Sequence, residues 1–139
     1  MTVKPDTKIV VIPENNSRKL SGEEIGLRKK MCAAIEKLVG NETVAVLASS
    51  DPNGLNYAKT IATHFEVELA TCDCLDGENV EDGCSCIEDY VDQKFGLVIA
   101  IADHGVVGPL AEALLSSVVG RLSTKIHVSG MPDVHVIQT

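Results

Sequence analysis

The chain has 139 residues, 45% of them apolar, and a formal net charge of −8. That length suits one domain that folds on its own core without needing a disulfide or a metal, and the core must be aliphatic, since there is no Trp and the aromatics are Tyr57, Tyr90, Phe65 and Phe95. The acidic balance excludes nucleic acid and anionic membrane as partners, because both need a clustered basic face.

Taken in chain order, Ile9-Val-Val-Ile12 is a β-branched run closed by Pro13 and reads as a buried strand. Ser21-Gly-Glu-Glu24 is a capping box opening a helix on which Leu27, Met31, Ala34, Ile35 and Leu38 form one apolar stripe, with Gly40 as its stop. Thr43 to Ala48 is a second strand. Asp51-Pro52 starts a second helix, with Leu55, Ala58, Ile61, Ala62 and Phe65 on its apolar side. Val67 to Ala70 is a weaker strand, and Ser85-x-x-Glu88 reads as another capping box that opens a short helix carrying Ile87, Tyr90 and Val91.

Leu97 to Ala102 is apolar on both faces, as a central parallel strand should be. Pro109 fits the start of the next helix, which carries Leu110, Ala113, Leu114 and Ser117 or Val118 and ends at Gly120. Ile126-His-Val128 and Val134-His-Val-Ile137 flank Gly130-Met-Pro-Asp133 as a hairpin. This order predicts a single domain spanning residues 1–139, with no internal repeat or linker: an α/β three-layer sandwich with a mostly parallel sheet, helices on both faces and a C-terminal hairpin. The run from Leu97 to Ala102 is far too short for the ~20 apolar residues that cross a bilayer. Residues 1–20 carry Lys4, Asp6, Lys8 and Glu14 and no apolar signal region, so the expected location is cytoplasmic.

In such folds ligands bind beyond the carboxyl ends of the strands, which points to the segments 13–18, 49–56 and 103–109. Four stretches there and around them form one pattern: Lys8 to Ile12, Leu20 to Gly26, Ala48-Ser-Ser50 with Tyr57 to Ala62, and Val98 to Leu110 with Asp103-His104-Gly105 inside it. In that order and spacing they resemble the histidine phosphatase (phosphoglycerate-mutase-like) superfamily, especially its small bacterial phosphohistidine-phosphatase branch, over nearly the whole chain. Lys8-Ile-Val-Val-Ile12 resembles the strand leading into the family's Arg-His-Gly motif, and Leu20-Ser-Gly-Glu-Glu-Ile-Gly26 its Leu-Thr…Gly segment. Ala48-Ser-Ser50 with Tyr57-Ala-Lys-Thr-Ile-Ala62 resembles the Ser-Ser…Thr-Ala-Glu-Ile-Ala segment, and the stretch from Val98 to Leu110 the last strand with its second-histidine motif.

The resemblance implies a reaction in which a neutral histidine attacks phosphorus, two arginines and a second histidine hold the equatorial oxygens, and a carboxylic acid protonates the leaving group. The sequence departs from this pattern throughout. Ile12-Pro-Glu-Asn15 stands where Arg-His-Gly is expected, so the nucleophile's place falls on Pro13 or Glu14. Proline has no nucleophilic atom, and the glutamate charge repels a phosphate dianion. The second arginine falls near Asn53, and the second histidine on Asp103 or, one residue later, on His104. The general acid would come from the region of Asp76 or Glu78, where acids are abundant. The expected pocket lining is therefore Pro13, Glu14, Asn15, Asn53, Asp103 and His104. Asp103, His104 and Glu14 are the catalytic candidates if any chemistry survives, and Glu14 and Asp103 otherwise read as caps of the turns that follow their strands.

The remaining histidines point elsewhere. His64 falls on the polar side of the second helix, while His127 and His135 alternate with aliphatics on the hairpin, where they could be cross-strand neighbours. Cys32 reads as a small core hydrophobe. Cys72-Asp-Cys74 and Cys84-Ser-Cys86 form two Cys-x-Cys pairs inside an acidic stretch that runs from Asp73 to Asp92. The four could hold a zinc ion as thiolates, cycle through disulfides, or be incidental cysteines with neither role. Against a metal, the spacing is not the usual Cys-x-x-Cys, alternate residues of an extended strand diverge, and nearby carboxylates raise thiol pKa values.

The expectation is a domain of this superfamily that has lost phosphoryl transfer and serves as a binding or regulatory module for a small molecule or a protein, with no cofactor. The alternatives are an active hydrolase with a rearranged pocket around Asp103 and His104, and a small metal-binding or redox protein built on the Cys-x-Cys pairs.

Overall fold

The computed structural model describes residues 8–13, 22–37, 43–49, 52–72, 75, 80–93, 96–102, 107–117, 122–127 and 134–138. The elements in order are β1 (Lys8–Pro13), α1 (Gly22–Glu36), β2 (Val44–Ala48), α2 (Pro52–Phe65), β3 (Leu69–Thr71), α3 (Val80–Asp92), β4 (Leu97–Ala102), α4 (Val107–Ser117), β5 (Leu122–Ile126) and β6 (Val134–Gln138). The six strands form one sheet in the order β3-β2-β4-β1-β6-β5. The first four neighbours pair in parallel, β6 runs antiparallel to β1, and β5 antiparallel to β6. This is the α/β architecture expected from the sequence.

The helices divide between the faces as right-handed crossovers require. The connections from β1 to β2 and from β2 to β3 move toward the β3 edge, and α1 and α2 cover one face. The connections from β3 to β4 and from β4 to β5 move the other way, and α3 and α4 cover the opposite face. Side-chain parity follows. Val10, Ile12, Val46, Ala48, Leu97, Ile99, Ile101, Val134 and Val136 pack with Met31, Cys32, Ile35, Tyr57, Ala58 and Ile61. Ile9, Val11, Leu47, Val98, Ala100, Ala102 and Ile137 pack with Leu75, Cys84, Ile87, Leu110, Ala111 and Leu114. Every residue of β4 is buried, which explains its unbroken aliphatic run.

Three local expectations need correction. The third helix begins at Val80, so Ser85 is an exposed mid-helix residue and no cap. The acids Glu81 and Asp82 in the first turn favour the earlier start through the helix dipole. The fifth strand is Leu122–Ile126, four residues ahead of the expected Ile126–Val128. Finally, α4 begins at Val107, which places Pro109 third in the helix, a position whose amide has no intrahelical acceptor in any case. Val118, Gly120 and the expected turn 130–133 lie outside the described residues.

Helix α2 ends in a Schellman turn. Val67 donates its amide to the Ala62 carbonyl (3.0 Å), and Glu66 to that of Thr63 (3.2 Å). Glu66 sits at the left-handed position with φ 57°, where a Cβ atom is costly and glycine is preferred. Because the Glu66 side chain is exposed, Glu66→Gly is expected to stabilise the protein by about 0.5–1 kcal/mol. Thermal melts should rise by roughly 2–4 °C, and an unchanged or lower melting temperature would contradict the assignment of this turn.

Candidate functional site

Strand register brings three chain segments together at one end of the sheet. Pro13 lies opposite Ala102, and Ala48 opposite Ile101, so β1, β4 and β2 end side by side. From β1 the chain crosses toward the β3 edge over one face, and from β4 it crosses toward the β5 edge over the other. The β1/β4 boundary is thus the topological switch point, where open α/β sheets form their ligand crevice.

Of the six expected pocket residues, the structure places two. Pro13 is a buried residue that ends β1, and Asn53 lies in the first turn of α2. Glu14, Asn15, Asp103 and His104 follow Pro13 and Ala102 in the sequence and lie outside the described residues, as do Asp76 and Glu78. Ser49, directly after β2, is buried to 2% exposure, so a polar side chain packs inside the protein at the carboxyl end of that strand.

Sequence reasoning missed Arg28. It is 3% exposed, in the second turn of α1. Its Nη1 donates to Asn56 Oδ1 at 2.9 Å, and its guanidinium lies over the Tyr57 ring, 4.8 Å from the centroid. Both partners are in the second turn of α2, so the arginine joins the two helices that cover one face. The missed signal was periodicity. The buried stripe of α1 is Arg28, Met31, Cys32 and Ile35, the i, i+3, i+4, i+7 pattern of an inward helix face, whereas Leu27 and Ala34 are only half-buried. An arginine can occupy such a stripe when its stem packs and its head finds a π face and an amide oxygen.

Three other residues singled out in the sequence, His64, His135 and Cys32, are among the described residues. His64 is exposed, as expected, and joins the far ends of α1 and α2 through Glu36 Oε2 at 3.1 Å. Its ring meets Phe65 edge-on with centroids 5.0 Å apart. The cross-strand partner of His135 is Lys125, so the hairpin histidines are not opposite one another. Cys32 is buried in the core, and burial, with Glu36 adding, pushes its thiol pKa up. It stays a neutral small hydrophobe.

Of the two Cys-x-Cys pairs, Cys74 lies outside the described residues. Cys84 and Cys86 are both on α3, not on an extended strand, and two residues on a helix diverge by about 200°. Cys84 is buried with its Sγ 3.7 Å from Glu88 Oε1, while Cys86 is half-buried. Among the described residues no group of three or more His, Cys, Asp or Glu side chains is placed to hold a metal ion. No described helix is long and apolar enough to cross a membrane.

Comparison with solved structures decides the fold. SixA of Agrobacterium tumefaciens, assigned as a phosphohistidine phosphatase, superposes with a TM-score of 0.57 at 12% identity, over 77% of this chain and 76% of its own. A phosphoglycerate mutase from Plasmodium falciparum gives 0.56 at 14% identity, over 94% and 88%. The chain has the phosphoglycerate mutase-like fold. A mycobacterial glucosyl-3-phosphoglycerate phosphatase shares it, with a TM-score of 0.56 at 10% identity over 81% and 80%. No family model matches the sequence, and no curated protein matches it. At such low identity the phosphoglycerate mutase-like likeness lies in the path of the backbone and not in the side chains that would do chemistry.

Proposed function

We propose that this phosphoglycerate mutase-like domain no longer transfers phosphoryl groups and acts in the cytoplasm, without a cofactor, as a binding or regulatory module for a small molecule or a protein. The observation that carries this reading is the end of β1. Pro13 closes that strand opposite Ala102, so the family's nucleophile position is filled by Pro13 or by Glu14 after it. Neither supplies an imidazole. Asn53, in the first turn of α2, offers an amide where the resemblance implies a guanidinium. Arg28 supports the same reading, because its guanidinium is engaged with Asn56 and Tyr57.

The energetic consequence is large. Each charge-assisted hydrogen bond to a phosphate contributes ~1.5–3 kcal/mol, so losing two weakens binding by roughly 10²–10⁴-fold. Incubation of the purified protein with an aryl phosphate tests the reading. No turnover above the uncatalysed rate is expected. Turnover that persists through purification and disappears in Glu14→Ala, Asp103→Ala or His104→Ala would establish the hydrolase alternative instead.

A further inference from the structure

We propose that Cys72 and Cys86 are a peroxide-sensitive thiol pair that closes into a disulfide and fastens α3 to the end of β3. The inference is independent of the function proposed above. Cys72 follows β3 directly, and its amide extends the ladder by donating to the Ala48 carbonyl at 2.7 Å. Its side chain is buried in the apolar layer between the sheet and α3, and Cys86 and Tyr90 of α3 pack against that same layer. Cys86 and Tyr90 are four residues apart, one helical turn, and so share a helix face. Tyr90 senses both sulfurs: burial raises its phenol pKa first, and Cys86 and then Cys72 raise it further. Among the described residues Cys32, Cys72, Cys84 and Cys86 are all outside disulfides, so the pair stands in its reduced form.

The choice of Cys86 over Cys84 follows from exposure and direction. Cys86 is half-buried and within reach of a small oxidant, whereas Cys84 is 5% exposed and turned toward the Glu88 carboxylate. The two lie about 200° apart around α3, so only one of them can share the Tyr90 side. In the reaction the Cys86 thiolate attacks one oxygen of hydrogen peroxide, the O–O bond breaks, and hydroxide leaves to become water on protonation. The sulfenic acid so formed is attacked by the Cys72 thiolate, which expels its oxygen as a second water. Two thiols and one peroxide give one disulfide and two waters. Because Cys72 hydrogen-bonds to the last residue of β2, the bond would form next to the strand ends that make the candidate site.

The purified protein, treated with a few equivalents of hydrogen peroxide and then denatured in the presence of N-ethylmaleimide, tests the pair. The number of alkylated thiols should fall from five to three. Digestion after glutamate should join the peptide 69–78 to the peptide 82–88. The cross-link should persist in Cys74→Ser and Cys84→Ser and vanish in Cys72→Ser and Cys86→Ser, with thermal melts confirming that each variant is folded. Five reactive thiols after oxidation, a disulfide confined to Cys72 and Cys74, a cross-link that survives Cys86→Ser, or one zinc per chain shielding the thiols would each overturn the proposal.

Discussion

Replacing Ile99 by alanine is expected to destabilise the protein by about 4 kcal/mol, near the upper end for a buried aliphatic truncation. Ile99 is fully buried in the middle of β4. Its strand lies between β1 and β2, with Val10 and Val46 as its direct neighbours in register, and its side chain packs in the layer that α1 and α2 cover. Neighbours on two strands and two helices cannot all move inward, so the cavity stays open and its cost is added to the lost transfer energy. Ile126→Ala is the control. Ile126 is only partly buried, on the edge strand β5, where solvent and relaxation absorb most of the change, and a loss below about 1.5 kcal/mol is expected. Urea unfolding of both variants checks the contrast. Similar losses in the two would contradict the placement of β4 at the centre of the sheet.

The second large effect is expected at Arg28. Arg28→Ala removes a charge-assisted hydrogen bond to Asn56, a cation–π contact with Tyr57 and a buried aliphatic stem, and should cost about 2–4 kcal/mol. Arg28→Lys should recover only part of that loss. A compact ammonium cannot lie flat on the ring and hold the Asn56 oxygen at the same time. A double-mutant cycle with Asn56→Ala should return a coupling of about 1.5–3 kcal/mol. Near-neutral Arg28→Ala would mean that the guanidinium does not join the helices. Protection of the wild type by phosphate, absent in Arg28→Ala, would mean that this cation serves an anion site after all.

The fold was legible because its information lies in parity and period. In β1 and β4 consecutive aliphatic residues must face two covered layers, as inner strands of a sheet with helices on both faces do. The apolar stripes placed the helices by their period, and Pro52 marked the start of α2. The misreadings share a cause as well. Ser85-x-x-Glu88 carries the letters of a capping box, but the pattern says nothing about whether a helix is already running, and α3 began a turn and a half earlier. Leu122-Ser-Thr-Lys-Ile126 shows little alternation, because an edge strand paired only with β6 has less apolar surface to bury than the mixed run Ile126-His-Val128 suggested. Arg28 is hard to find by pattern because arginine is rarely fully buried, although its spacing to Met31, Cys32 and Ile35 marks it as inward.

The candidate site was legible in a different way. The expectation that a ligand binds at the carboxyl ends of β1, β2 and β4 came from the element order alone, and the registers Pro13 with Ala102 and Ala48 with Ile101 show that these three strands end side by side. What the residues there do depends on charges carried by single side chains, which no periodicity encodes.

Calorimetric titration of the purified protein with orthophosphate at neutral pH speaks most plainly to the proposed loss of phosphoryl transfer. If Glu14, Asp103 and Asn53 stand where the resemblance implies imidazole and guanidinium, as proposed, no saturable binding is predicted up to about 10 mM phosphate. Saturation in the micromolar range, abolished by Asp103→Ala or His104→Ala, would show that the strand-end site still holds a phosphate dianion and would contradict the proposed loss.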